Sequence, residues 1–369
     1  MGTYLFLAIQ WGPYGQGGDV YIPKGSSVRQ VGELLAQNGI IRNAWSFKLL
    51  ARWKGLQAKL KPGEYQFNAG MTCSQVLEKI ARGERVIHRL TIPEGFNFAQ
   101  IAAAIEQAGI APRIETMKYF RDPGLLSMLG FPAETLEGFL YPATYEYDRE
   151  TTVPILLKQM IQKFKESLAP LEERRLRAGW TVPQVVTLAS LIEKETGLPA
   201  ERILVSSVFQ NRLRIGMPLQ TDPSVIYGIP NFDGNLRKED LRNPHPYNTY
   251  VHVGLPPGPI ASPGRARLEA ALTPSNTSYL FFVAKGDGSH YFSSTLDEHN
   301  AAVARFQLGK PLGAESRPGA TPQAEAAPSK AATPLMKPIP MPGASLPAPA
   351  AKQPLMKPMP APRANAPQP

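Results

Sequence analysis

The chain has 369 residues, 43% of them hydrophobic, enough for two domains with buried cores. Its formal net charge of +10 favours an anionic partner without choosing among nucleic acid, acidic phospholipid and cell-wall polymer. The one cysteine, Cys73, excludes an intrachain disulfide and a cysteine metal cluster, and the 5 histidines form no HExxH pair or other tight ligand spacing.

Tyr4 to Ile9 is a short apolar run, far below the roughly 20 residues that span a bilayer. It lacks the basic start and cleavage site of a signal peptide. Read literally, the chain has no membrane anchor; beginning at Met1 and ending in Trp11-Gly12-Pro13, the run equally fits the remnant of a longer segment over residues 1–19. An internal repeat follows. Val20-Tyr-Ile-Pro-Lys-Gly25 leads into Val28, Val31, Leu34 and Leu35, then Gly39-Ile40. Leu90-Thr-Ile-Pro-Glu-Gly95 leads into Phe98, Ile101, Ala104 and Ile105, then Gly109-Ile110. Each copy predicts a strand, a Pro-x-Gly turn and an amphipathic helix ending at glycine. Gly63–Phe67 reads as a strand, and 72–81 as a helix capped by Thr72 and ended by Gly83. Residues 20–115 are therefore expected to form a small α+β unit. Most of its pattern is packing scaffold, but strand–helix units of this size resemble LysM modules, which bind N-acetylated glycans.

Residues 116–180 read as a helical connector, broken by the aromatic, Pro-containing run Leu136–Tyr145, a connector or strand. Thr181-Val-Pro-Gln184 is a capping box. The helix it starts runs through Val185, Leu188, Leu191 and Ile192 to Glu193-Lys-Glu195-Thr196, with Gly197 as the stop. A carboxylate in the last turn meets the negative end of the helix dipole and, if desolvated, holds its proton longer than in water. That is what a general acid at neutral pH requires. On the helical wheel the two glutamates lie at opposite edges of the apolar stripe, which leaves the choice between them open.

A second helix is expected from Ala200 through Leu213, closed by Gly216. Gln220 and Asp222 fall in a loop fixed by Pro218 and Pro223, before a short strand Val225–Tyr227. His245 and His252 lie in a Pro/Gly-rich stretch and read as loop residues. Strands at Tyr279–Val283 and Tyr291–Ser293 flank the hairpin signature Lys285-Gly-Asp-Gly288, and a last helix starts near Leu296. The tail over 312–369 is Pro/Ala-rich and repeats Pro-Leu-Met-Lys-Pro, a composition that stays disordered or polyproline-like.

Five of these stretches, Leu188–Thr196, Val208–Leu213, Gly216–Gly228, Tyr247–Tyr250 and Gly254–Ile260, together resemble the endolytic murein transglycosylases of the YceG-like family over about residues 20–308. The resemblance implies an α+β chain: a LysM-like module over 20–115, then a mixed α/β catalytic part whose core is 181–311. It implies an enzyme that cuts the MurNAc–GlcNAc bond to leave 1,6-anhydro ends and limits nascent strand length. It makes Glu195, second in Glu-x-Glu-Thr, the catalytic acid/base. Glu193, Asn211, Gln220, Asp222, Tyr227, Asn248 and Tyr250 are the supporting candidates, with Glu193 either shaping the field around Glu195 or paired to an arginine such as Arg202 or Arg212. No cofactor or metal is expected. The partners are glycan strands and, as candidates, the cell-wall synthases called penicillin-binding proteins. The place is the bacterial inner membrane, single-pass, with the catalytic part outside it. Two departures stand out: Pro142-Ala-Thr-Tyr145 where the family often has Pro-Asp-Thr-Tyr, and Ser262-Pro-Gly264 where it often has Asn-Pro-Gly. The rival readings are a muramidase using Asp222 to activate water, and a glycan-binding scaffold without turnover. A nucleic-acid binder ranks last, because the basic residues are scattered and no motif accompanies them.

Overall fold

The computed structural model describes residues 12–307. The expected anchor remnant at Tyr4–Ile9 and the tail over 312–369 lie outside the described residues. The architecture is α+β, with three separate two-stranded antiparallel sheets and many helices among the described residues. In chain order the elements begin β1 (Gly18–Ile22), α1 (Val28–Gln37), α2 (Ala44–Trp53), β2 (Gly63–Phe67) and α3 (Cys73–Arg82). They continue with β3 (His88–Thr91), α4 (Phe98–Gln107), α5 (Arg113–Met117), α6 (Pro123–Ser127), β4 (Thr144–Tyr147), α7 (Val153–Leu168) and α8 (Glu172–Ala178). The last group is α9 (Val182–Glu195), α10 (Arg202–Arg214), α11 (Asp222–Gly228), α12 (Arg265–Leu272), β5 (Phe281–Ala284), β6 (His290–Ser293) and α13 (Leu296–Phe306). Among the described residues no helix is long and apolar enough to cross a membrane.

The side chains sort into two cores. In the first, β1 pairs with β2, so Val20 faces Tyr65, and strand alternation turns Val20, Ile22, Tyr65 and Phe67 inward against Val31, Leu35, Phe47, Leu50 and Ile80. The second gathers Leu90, Ile92, Ile101 and Ile105 with α7, α9 and α10. The repeat is therefore split between cores. Both copies keep the same local chemistry: Ser27 with Gln30 and Asn97 with Gln100 form equivalent capping boxes. The strands differ in partner, because β3 pairs with β4 and not with a strand of the first unit. Ile92 N–H extends that pairing to the Ala143 carbonyl at 2.9 Å, so the expected unit over 20–115 divides after α3.

Three further differences from expectation have local causes. The predicted strand at Val225–Tyr227 is helix α11. Extended Thr221 precedes it, and Asp222 and Pro223 occupy its first turn, where acid and proline both favour helix. Helix α2 escaped the sequence reading, as did α12, which has little amphipathic pattern because most of it is buried. The departure at Ser262 leaves the backbone contacts in place: its carbonyl accepts from Gly95 and its N–H donates to Phe96, while its hydroxyl stays buried without a partner.

Candidate active site

Helix α9 is anchored at both ends and along its length. At its start Gln184 Oε1 accepts the Thr181 N–H at 2.9 Å, completing the box. Val185, Val186, Leu188, Ala189, Leu191 and Ile192 are fully buried. Midway, Ile260 N–H donates to Ser190 Oγ at 3.1 Å and ties the Gly254–Ile260 run to the helix. Its last turn is thus delivered at a fixed position.

The two glutamates there do different work. Glu193 is only 5% exposed, accepts the Gly264 N–H at 2.9 Å and pairs with the Arg267 guanidinium at 3.2 Å. Arg267 also reaches Glu94, in the Pro-Glu-Gly turn of the second repeat copy. The expected partner of Glu193 is therefore corrected: α12, packed across α9, supplies Arg267, and Arg202 adds only a more distant attraction. Burial still raises the Glu193 carboxyl above its ordinary value, with the Gly264 N–H and Arg267 opposing. A Cβ at Gly264 would lie 1.8 Å from the Glu94 carboxylate, so a larger residue there would push that half-exposed side chain aside.

Glu195 sits on the other edge. The residue as a whole is half-buried, and protein packs densely around its carboxyl group. Desolvation raises its pKa first, and the negative charge of Asp222 adds to the rise; Thr221, His290 and Arg212 oppose it. The Thr221 hydroxyl is buried and leans on Glu195 without completing a hydrogen bond of normal geometry. Asp222 is exposed and accepts the Tyr250 hydroxyl at 2.6 Å. Burial and the Asp222 hydrogen bond both hold that phenol protonated. Gln220 is exposed in a left-handed conformation (φ 51°), which costs about 1–2 kcal/mol for a residue with a Cβ. Its N–H is held by the Thr249 carbonyl at 3.0 Å. Arg212 donates through Nε to the Leu280 carbonyl (2.6 Å) and through Nη1 to those of Leu219 (2.8 Å) and Pro218 (3.3 Å), with Gln220 Oε1 at 3.5 Å, and its charge acts on Glu195 as a field.

A carboxylate–imidazole pair completes the surroundings. Buried Glu201 accepts the His290 N–H at 2.8 Å and lies 2.7 Å from its Nδ1. Thr196, which follows Glu195 directly, donates to the same carboxylate at 3.3 Å. Glu201 thereby links the end of α9 to β6.

Of the candidates from sequence, Glu195, Asp222, Tyr250 and Gln220 come together. Asn211 does not project into this group, and Asn248 meets it only through its Oδ1, which accepts the Tyr250 N–H at 2.9 Å. Asn211 Nδ2 donates to the carbonyls of Thr277 (2.8 Å) and Tyr279 (2.9 Å). Asn248 Nδ2 donates to those of Asn243 (2.7 Å) and Asp240 (3.2 Å). Both hold backbone in place. Tyr227 rests on Tyr247 at 4.8 Å between ring centroids and donates to Glu137 at 3.1 Å. Sequence reasoning missed Thr221, His290, Glu201 and Glu137. His290 and Glu201 are 89 positions apart, and no spacing rule joins them. An open depression of about 1050 Å³ between β4 and α7 is lined by Arg89, Lys158 and Lys163, but holds no buried acid to do chemistry. Among the described residues no group of three His, Cys, Asp or Glu is placed to hold a metal ion.

Glu137 is the second perturbed acid. It accepts the Phe98 N–H at 3.0 Å and the Tyr227 hydroxyl, but burial outweighs both and pushes it up to about 7. A carboxyl whose folded pKa lies above its unfolded value stabilises the fold below the unfolded value and loses that contribution as pH rises through the folded one. Raising the pH from about 5 to 8 is therefore expected to cost about 2–3 kcal/mol through this group. Denaturant unfolding across that range checks it: Glu137→Gln should flatten the dependence by that amount.

The YceG-like family model matches residues 20–305. The chain is 34% identical over 308 residues to the endolytic murein transglycosylase of Bacillus subtilis strain 168, covering 79% of this chain and 85% of that protein. A protein of the same name from Streptococcus pneumoniae serotype 2 strain D39 is 30% identical over 323 residues. That match covers 79% of this chain, which spans only 58% of the pneumococcal protein. A crystal structure of a putative YceG-like protein from Listeria monocytogenes superposes with a TM-score of 0.56 at 33% identity, covering 77% of this chain and 98% of that one. With the matching stretch taking in both cores and the cluster around Glu195, the chain belongs to the YceG-like family.

Proposed function

We propose that this protein is an endolytic lytic transglycosylase of peptidoglycan, with Glu195 as its one acid/base. The observation that carries the reading is the state of Glu195: a desolvated carboxyl at the end of an apolar helix, raised further by Asp222, in a half-buried residue next to exposed Asp222. The names of the relatives, endolytic murein transglycosylase, support the substrate class.

In the proposed reaction, protonated Glu195 donates to the oxygen bridging MurNAc and GlcNAc as the bond to C1 breaks. The sugar's own 2-acetamido group stabilises the developing cation. Ionised Glu195 then takes the proton of the MurNAc C6 hydroxyl, whose oxygen closes on C1. The ring closure yields a 1,6-anhydro end, consumes no water and restores the acid. Desolvation and Asp222 raise the carboxyl, which favours the protonated donor, while Arg212 and His290 act in the opposite direction and favour the ionised form that the second half of the reaction needs. Cleavage within nascent strands limits their length. The reading places the catalytic part outside the inner membrane, beside the synthases that make those strands, and gives the N-terminal unit a LysM-like grip on glycan.

A muramidase reading keeps one specific support: Asp222 is exposed beside Glu195 and could activate water. The product separates the two. Digestion of purified sacculi should release muropeptides about one water lighter than reducing-end products, seen by mass spectrometry. Reducing ends as the main product would make the enzyme a hydrolase.

A further inference from the structure

Thr221 brings to Glu195 a buried hydroxyl that the proposed reaction leaves unused. It stands just ahead of α11, which packs against α9, and is 2% exposed. Its backbone is fully engaged. The N–H donates to Thr249 Oγ1 at 3.0 Å, and the carbonyl accepts the Ser224 hydroxyl at 2.8 Å and the Ser224 N–H at 3.2 Å. The Ser224 and Thr249 hydroxyls are buried too and lie 2.9 Å from each other, so both are paired. On the preceding side, Gln220 is pinned to the Thr249 carbonyl in its left-handed conformation. A β-branched residue on so fixed a backbone has few rotamers left.

Within this network of three hydroxyls, that of Thr221 has no hydrogen-bond partner. Buried hydroxyls are nearly always paired, because the water lost on burial has to be replaced. Ser224 and Thr249 show that the local structure can meet that demand. What lies against the unpaired hydroxyl is the Glu195 carboxyl. A neutral carboxyl turns its proton toward the sugar bridge. A carboxylate only accepts, and it accepts more strongly.

Resting on the reading of Glu195 as the acid/base, we propose that Thr221 is its positioning residue: the hydroxyl donates to the carboxylate formed when Glu195 gives up its proton. One carboxylate oxygen is then held by Thr221, which leaves the other aimed at the sugar to take the C6-hydroxyl proton. No proton leaves the threonine, so the cycle still closes with Glu195 protonated. The contact is strongest midway through the reaction, so it speeds turnover without tightening the binding of the strand.

Thr221→Val replaces the hydroxyl with a methyl of the same shape. On soluble glycan strands its kcat should fall about ten-fold with KM unchanged. The alkaline limb of kcat/KM should move up by about one pH unit, because a donor to the ionised form is lost. Asp222 on α11, Arg212 on α10, His290 on β6 and Tyr250 also face Glu195, and all four are the same in every variant. Thr221→Ser keeps the hydroxyl and loses the methyl, and should recover most of both effects. A packing role gives the opposite order, with Thr221→Val the more active. Parent-like thermal unfolding of Thr221→Val separates lost activity from lost fold. Parent kcat in Thr221→Val, an unmoved limb, a loss carried by KM, or Thr221→Ser no better than Thr221→Val overturns the proposal. Glu195→Gln, assayed alongside, tells the two failures apart. If it is inactive, any of those results removes only Thr221; if it turns over strands at the parent rate, both assignments fall.

Discussion

Glu195→Gln is expected to lower the turnover of glycan strands by at least about 1,000-fold, equivalent to about 4 kcal/mol of transition-state stabilisation. The substitution keeps the size of the side chain but removes a proton donor from the first half of the reaction and a proton acceptor from the second. No other acid of the cluster can replace it: Glu193 is turned toward Arg267, and Asp222 is exposed and engaged by the Tyr250 hydroxyl. The fold should not suffer. Because desolvation raises the Glu195 carboxyl, ionising it disfavours the folded state as pH rises through that raised value. A neutral amide removes this cost, so the variant should be as stable as the parent at neutral pH, or more so. The parent's kcat/KM should fall on the alkaline side as the acid loses its proton. Single-turnover digestion of sacculi, read by mass spectrometry, gives the rate, and thermal unfolding gives the control. A variant within ten-fold of the parent would move the acid elsewhere.

Breaking the clamp on the neighbouring glutamate should give the largest effect on stability. Arg267→Met leaves Glu193, only 5% exposed, without its cation. Removing one partner of a buried pair typically costs about 3–5 kcal/mol, because the remaining charge is stranded. Burial already holds the Glu193 carboxyl above its ordinary range, so it can escape by taking a proton. The loss should therefore be greatest above neutral pH and shrink as pH falls. Glu193→Gln in the same chain should recover most of it: the amide oxygen can still accept the Gly264 N–H, and no charge is left unpaired. Denaturant unfolding of the two single variants and the double, at pH 5 and pH 8, closes the cycle. A double variant no better than Arg267→Met alone would mean that the arginine matters through Glu94, its other partner, and not through Glu193.

The limits of the sequence show at particular residues. The Thr181 capping box, the buried stripe of α9 and the glutamates in its last turn were all legible, because helix starts and stops are written in neighbouring side chains. The strand at Gly63–Phe67 and the Lys285–Gly288 hairpin were legible for the same local reason. Val225–Tyr227 misled: β-branched residues read as strand, while Thr221, Asp222 and Pro223 start a helix. Helix α12 left no amphipathic trace because most of it is enclosed, and with it went the true partner of Glu193.

By itself, then, the order of residues determined the ends of the elements that carry a local cap or alternation, that a short helix-terminal segment carries acids, and which family motifs surround it. It could not decide which face each acid meets. The two copies of the repeat share their turns and caps yet fall into different cores, because a strand's partner is chosen by what the rest of the chain brings alongside it. Likewise Glu193 and Glu195 are near twins in sequence. Only the packing of α12 on one side, and the approach of Asp222, Arg212 and His290 on the other, makes one a clamp and the other a candidate acid. Desolvation and charge are properties of what surrounds a group in space, and those neighbours lie far away along the chain.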